Sequence, residues 1–209
     1  MSAARKQTVV LASVNRGKLR ELGRVLSPLE MDLRPQSEFD VPEVEETGLS
    51  FVENALIKAR AAARATGLAA IADDSGLEVD HLLGAPGIHS ARYSGDGDQA
   101  NNTKLIAELG DLPLEQRTAR FQCVLVYMRH WRDPTPIICQ AAWEGQILFQ
   151  ARGDNGFGYD PLFYLPQYQC SSAELDSNEK NRISHRAKAS IALLAALRDR
   201  QCQSPICHP

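Results

Sequence analysis

The chain reads as a single α/β domain, and three observations point there. Short apolar runs that suit buried strands alternate with stretches of helical periodicity over the first half of the chain. Two neighbouring β-like segments follow, close enough to pair as a hairpin. No repeat or linker divides the 209 residues, so the elements belong to one folding unit, in which the hairpin can form a second lobe.

Thr8 to Ala12 is an apolar run of strand length, Asn15-Arg16-Gly17-Lys18 follows it as a turn, and Leu19, Leu22, Val25 and Leu26 recur at helical spacing. Arg34 to Pro42 is irregular and leads into the acids Glu43, Glu45 and Glu46. Ser50-Phe51-Val52-Glu53 has the form of a capping box that opens an alanine-rich helix to about Thr66, and Gly67 ends it. Leu68 to Ile71 is a further buried strand. The run Ala72-Asp73-Asp74-Ser75-Gly76-Leu77 then reads as a tight turn at its end, and Leu77 to Asp80 as another strand. Gly84 to Gly97 is a glycine-rich loop, and Asp98 is placed to cap a helix lasting to Leu109. In Ala119 to Met128 the residues Phe121, Cys123, Leu125 and Tyr127 alternate, and Ile137 to Trp143 is the expected antiparallel partner across a turn at Asp133-Pro134. A second glycine-rich loop spans Gly153 to Asp160, and a final helix runs from about His185 to Arg198.

Composition removes several classes of protein. Hydrophobic residues make up 44% and charged residues 23%, which are ordinary globular values. The balance of 23 Lys+Arg against 26 Asp+Glu gives a net charge of -3, which argues against a nucleic-acid or anionic-membrane binder. A small anionic ligand would instead need a local basic cluster. No apolar segment is long enough to span a bilayer, and the opening MSAARKQTVVLAS has neither the apolar core nor the cleavage site of a signal peptide, so the cytoplasm is the expected compartment. Five irregularly spaced cysteines fit a reducing compartment without a disulfide framework. Cys202, Cys207 and His208 lack zinc-site spacing, and residues 202–209 are expected to be a flexible tail.

Several segments carry donors or acids in patterns that suit nucleotide chemistry, and each also has a plain structural reading. Ser13, Asn15, Gly17 and Lys18 precede a helix whose amides would attract phosphate, although the spacing is not that of a Walker A loop and, taken alone, the segment reads more readily as a surface turn. Asn54 and Lys58 share one face of the capped helix. Glu46 and the Asp73-Asp74 pair could converge on a magnesium ion, which takes oxygen ligands and keeps waters and substrate phosphates; otherwise these acids only cap backbone or face solvent. Gly156-Phe157-Gly158-Tyr159-Asp160 sets aromatics between glycines, as a planar base lying on Phe157 or Tyr159 would need, or as a hydrophobic turn would. Lys180, Ser184, His185 and Arg186 gather donors for an anion or the keto edge of a base, or form an ordinary helix start.

Taken in order, L-A-S-V-N-R-G-K, T-G-L-S-F-V-E-N-A-L-I-K-A, I-A-D-D-S-G-L-E-V-D, G-A-P-G-I-H-S-A-R-Y-S-G, G-F-G-Y-D-P-L-F and S-H-R-A-K-A resemble one family, the inosine/xanthosine triphosphate pyrophosphatases, from about Val9 to Leu197. The resemblance implies a long mixed β-sheet flanked by helices in two lobes, an active site in the cleft between them, and a homodimer. It implies magnesium-assisted hydrolysis of non-standard purine nucleoside triphosphates (ITP, dITP, XTP) to monophosphate and pyrophosphate. By the same resemblance Ser13, Val14, Asn15, Arg16, Gly17 and Lys18 would hold phosphate, and Glu46 and Asp74 the metal. Asp74 would also be the proton acceptor, and its neighbour Asp73 then reads, from the pair itself, as the structural partner that positions it. Ser75, Phe157, Gly158, Tyr159, Asp160, Lys180, His185 and Arg186 would complete the substrate site. Ser13-Val14 stands where the family commonly has Thr followed by a small residue, but the hydroxyl is kept. The competing expectations are a pyrophosphatase for other altered nucleotides, such as modified pyrimidines, and a nucleotide-binding module without turnover.

Overall fold

The structure, a computed structural model, describes residues 6–29 and 31–203, with Arg16, Gln201 and Gln203 described by backbone alone. It contains a seven-stranded mixed sheet with flanking helices. The strands are β1 (Thr8–Leu11), β2 (Asp32–Pro35), β3 (Ala69–Val79), β4 (Thr118–Met128), β5 (Ile137–Ile147), β6 (Phe163–Leu165) and β7 (Cys170–Ser171), in the order β2-β1-β3-β4-β5-β6-β7. The helices are α1 (Arg16–Leu26), α2 (Phe51–Thr66), α3 (Asp98–Leu109), α4 (Ser177–Ile183) and α5 (His185–Gln203). The chain divides into two compact units. The first comprises Met1–Asp74, Val124–Gln140 and Ala187–Pro209, and the second Ser75–Cys123 and Ala141–Arg186.

In the first unit β1 lies parallel to both β2 and β3, with Leu11 opposite Pro35 on one side and Ile71 on the other. Val9, Val10 and Ile71 are fully buried, as strands covered on both faces require. Helix α2 packs against β1, and its buried stripe is small: Ala55, Ala59, Ala62 and Ala63 let the helix backbone come close to the strand. Ser50 caps its start by accepting from the Glu53 amide, and Gly67 closes its end in the left-handed conformation with its amide donating to Ala63. In the second unit Leu77, Leu105, Phe121, Trp143, Ile147, Leu162 and Phe163 form one apolar cluster with Leu109, Leu165 and Leu175. There β5 and β6, and β6 and β7, pair antiparallel.

Several elements differ from the sequence reading. The Asp73-Asp74-Ser75-Gly76 run is not a turn: β3 passes straight through it as one strand of 11 residues. Two adjacent acids signal a turn only while they lack partners, and here each has one from another element. The irregular segment from Arg34 begins in β2, a short edge strand that ends at Pro35. The short elements β6, β7 and α4 were not foreseen, since two to seven residues carry too little periodicity. Asp98 is not the cap of α3; Gly97 holds that position and the Asp98 carboxylate turns elsewhere. Cys202 lies within α5, whereas Cys207 and His208 lie outside the described residues. Among the described residues no helix is long and apolar enough to cross a membrane.

The turn between β4 and β5, which are neighbours in the sheet, is tied by Asp133, only 2% exposed. Its carboxylate accepts from the Arg129 guanidinium at 2.5 and 2.9 Å and from the amides of Arg129 and Thr135, both at 3.0 Å. The Arg129 side-chain bonds foremost, with the amides, hold its pKa well below the usual carboxylate value despite burial. Because the folded pKa is the lower one, this stabilisation is complete above the unfolded value of about 4 and is lost as pH falls through the folded pKa. Asp133→Asn is therefore expected to lower stability by about 2–4 kcal/mol at pH 7, with the gap from wild type narrowing in melts taken below about pH 4.

Candidate active site

The first cluster lies wholly in the first unit and follows from the parallel pairing of β1 and β3. The Ala12 amide donates to the Ile71 carbonyl at 2.8 Å, so the loop leaving β1 starts beside the segment of β3 that carries the two acids. Asn15 caps α1, its side-chain oxygen accepting from the amides of Gly17 and Lys18 at 2.8 and 3.2 Å. Those two amides are thus occupied, and among the described groups of this loop the Lys18 ammonium is what it offers an anion. Lys18 Nζ donates to the buried Asp73 at 2.5 Å. Ser13 accepts the Asn15 amide through its hydroxyl, and Val14 projects into solvent. The Arg16 side chain lies outside the described part of the loop.

Asp74 meets a different lysine. Lys58 Nζ donates to Asp74 Oδ1 at 2.7 Å and lies 2.9 Å from Glu46 Oε1, so one ammonium holds two carboxylates. Burial pushes the Asp74 pKa up against the pull of Lys58, and the neighbouring charges of Glu46 and Asp73 push the same way. Burial acts to lower the Lys58 pKa, but these carboxylates more than offset it and the net shift is upward. The loop carrying Glu46 is sewn to the start of α2. Asn54, fully buried, accepts the Gly48 amide at 2.8 Å, while Glu53 accepts the Leu49 amide and the Ser50 hydroxyl, each at 2.8 Å. A side chain at Gly48 would collide with Glu53 Cβ at 2.5 Å, so glycine is what allows this approach. On the shared face of these two residues Asn54 is therefore buried and Lys58, partly buried, is engaged by carboxylates.

This donor set fits magnesium. The ion commonly takes one or two carboxylates and completes its shell with waters and substrate phosphates, and Glu46 and Asp74 already share one positive charge. Among the described residues no group of three or more His, Cys, Asp or Glu side chains gathers as a metal cage.

The second cluster belongs to the second unit. Asp160 is buried and accepts from the Phe157 amide at 2.9 Å, the Ser172 hydroxyl at 2.8 Å and the Lys180 ammonium. It is thus the organiser of the Gly156–Asp160 loop, with its oxygens turned to protein groups. At Gly156, φ is 82° and an added Cβ would sit 2.1 Å from Asp160 Oδ2. The two aromatics separate cleanly: Tyr159 is buried with its hydroxyl donating to the Ser90 carbonyl at 2.8 Å, whereas Phe157 is 59% exposed. Of the two rings considered for a base, Phe157 is the one open to a ligand, and the Lys180 ammonium lies 5.6 Å from its centre. His185 stacks on Phe121 with ring centres 4.9 Å apart, and Arg186 donates to the Ser75 hydroxyl at 3.3 Å. Both are nearly buried, so their donors are held in place by the fold.

The sequence had not singled out Asn101 or Arg117. Asn101 pins the Gly84–Gly97 loop by accepting from the Ser94 amide and hydroxyl and donating to the carbonyls of Ser90 and Ala91. Arg117 is fully buried and, among the described residues, its guanidinium bonds only backbone carbonyls. Neither sits in a recognisable motif, and what marks them is burial, which a single sequence does not display.

Known proteins match this chain over nearly its whole length. A family model described as the Ham1 family matches residues 9–196. A dITP/XTP pyrophosphatase of Vibrio vulnificus is 59% identical over 193 residues, covering 91% of this chain and 96% of the relative. Another of that name from Shewanella oneidensis is 60% identical over 196 residues, covering 93% and 95%. Among solved structures, a HAM1 protein from Coxiella burnetii superposes with a TM-score of 0.88 at 49% identity, covering 92% of this chain and 99% of that one.

Proposed function

Because the chain belongs to the Ham1 family, we propose that it is a nucleoside triphosphate pyrophosphatase that hydrolyses dITP, ITP and XTP to the monophosphate and pyrophosphate. The observation that carries this reading is the single Lys58 ammonium shared by Asp74 and Glu46, a charge arrangement suited to exchange with a metal-bound polyphosphate. Glu46 and Asp74 would hold the magnesium ion, which when bound supplies charge neutralisation at the phosphates and lowers the pKa of coordinated water.

The residues of the chain then have distinct tasks. Asp74 accepts the proton of the attacking water as the water oxygen bonds to phosphorus and pyrophosphate departs. Asp73 anchors Lys18, and the ammonium groups of Lys18 and Lys58 offset the charge that would repel a hydroxide-like nucleophile. The exposed ring of Phe157 supports the base. His185 and Arg186 donate to the 6-keto oxygen of hypoxanthine or xanthine, and a 6-amino group in its place would leave them facing a donor. Ser75 is held against Arg186 and contacts the substrate beside it. The active form is a homodimer in the cytoplasm, and neither nucleic acid nor membrane is a partner.

Pyrophosphate release measured over dITP, XTP, dATP and modified pyrimidine triphosphates tests the reading. We expect the 6-keto purines to exceed dATP by at least about 10²-fold in kcat/KM, and His185→Ala with Arg186→Ala to collapse that ratio. A preference for modified pyrimidines would favour the other hydrolase reading. Tight dITP binding without pyrophosphate release would make the protein a binding module.

A further inference from the structure

Helix α3 takes no part in the chemistry described so far, yet two of its side chains grip the loop that presents Phe157. Asp98 and Asn102 stand four residues apart and so share a face of the helix. Asp98 Oδ2 accepts the Gly158 amide at 2.7 Å, and Asn102 Nδ2 donates to the Gly158 carbonyl at 2.9 Å. Both backbone polar groups of the residue next to Phe157 are therefore bound by one helix. Asn102 Oδ1, meanwhile, is buried without a hydrogen-bond partner among the described residues. The carboxamide has given up its acceptor in order to aim its N–H at Gly158, a cost that only a useful bond offsets.

The neighbouring anchors do not do this work. Tyr159 is fixed by burial and by Ser90, whereas the Phe157 ring is 59% exposed, with the Lys180 ammonium 5.6 Å from its centre, so little packing of its own holds it. A cavity of about 400 Å³ lined by Asp98, Asn102, Phe157 and Gly158, among others, leaves this side of the loop without tight packing behind it. The location of the ring thus rests largely on backbone bonds: the Phe157 amide donates to the Asp160 carboxylate, the Phe157 carbonyl accepts the Asp160 amide at 3.2 Å, and Gly158 makes two bonds to α3.

We infer that Asp98 and Asn102 are positioning residues for base recognition, a clasp on Gly158 that holds the Phe157 ring where a purine stacks. This rests on the reading of Phe157 as the base platform. Asn102→Asp is close to isosteric and sets a carboxylate oxygen against the Gly158 carbonyl; Asp98→Ala removes the acceptor, and Asp98→Asn keeps one.

Three quantities separate the outcomes in calorimetry and steady-state kinetics: the Kd of inosine monophosphate, the Kd of pyrophosphate, and KM against kcat for dITP. Asn102→Asp and Asp98→Ala are expected to weaken inosine monophosphate binding and raise the KM for dITP about tenfold each. Pyrophosphate binding stays within twofold, kcat changes less than threefold, and Asp98→Asn stays close to wild type. The Asp98 pair decides the matter if Asn102→Asp fails to fold. Equal weakening of monophosphate and pyrophosphate, or an unchanged KM in a folded Asp98→Ala protein, would overturn the clasp. A wild type that binds neither dITP nor inosine monophosphate would instead remove the base-platform reading, and the clasp with it.

Discussion

Asp74→Asn is expected to lose pyrophosphate release from dITP by about 10²–10⁴-fold while keeping the fold, because the substitution preserves shape and removes the proton acceptor. Two features of the site make the result informative. Burial raises the Asp74 pKa, so the native state already disfavours its charge, and an amide there carries no such penalty. The linkage sign agrees: a carboxyl whose folded pKa is raised contributes less to stability as pH rises through that range. The variant should therefore melt at or slightly above the wild-type temperature in metal-free buffer, since Lys58 retains Glu46. Loss of activity together with retained or increased stability is the signature of a group kept for chemistry. Single-turnover assays of dITP hydrolysis, paired with thermal melts, check both halves. Activity within threefold of wild type would remove Asp74 from the role of base.

Arg117→Ala is the substitution expected to cost the fold most, by about 3–5 kcal/mol, or roughly 6–20 °C in melting temperature for a chain of this size. Arg117 is fully buried, forms no ion pair among the described residues, and spends its guanidinium on carbonyls. Nε donates to Ile147 at 2.8 Å, Nη1 to Gly110 at 3.0 Å and Nη2 to Leu148 at 3.3 Å, while the Phe149 ring centre lies 4.3 Å from Cζ. Alanine would strand those carbonyls and open a cavity at once, and each stranded group carries its own desolvation penalty. Burial pushes the guanidinium pKa down, yet it stays charged at any working pH. Arg117→Lys is expected to recover less than half of the loss, since one ammonium cannot reproduce the planar fork that reaches three strand and loop ends. Urea titrations of the three proteins test the order. Arg117 also ties the end of β5, from which the chain leads to the Gly156–Asp160 loop, so dITP turnover should fall with stability in the alanine variant.

The sequence alone determined the elements with strong periodicity and the identity of the motif residues. The alanine stripe and capping box located α2, the alternation from Ala119 located β4, and the ordered blocks pointed to one family before any contact was known. It did not determine what those residues do to one another. Asp73 and Asp74 are neighbours in a strand with different lysines, one from α1 and one from α2, and that assignment turned an expected turn into the middle of β3. Likewise Phe157 and Tyr159 were interchangeable as letters, and only packing buried one ring and exposed the other. Asp98 read as a helix cap until the Gly158 amide claimed its carboxylate. The physical reason is common to all three. Propensity and periodicity are properties of a few adjacent residues, whereas the partner of a buried charge or a backbone amide is chosen by groups tens of residues away, once the sheet has brought them together.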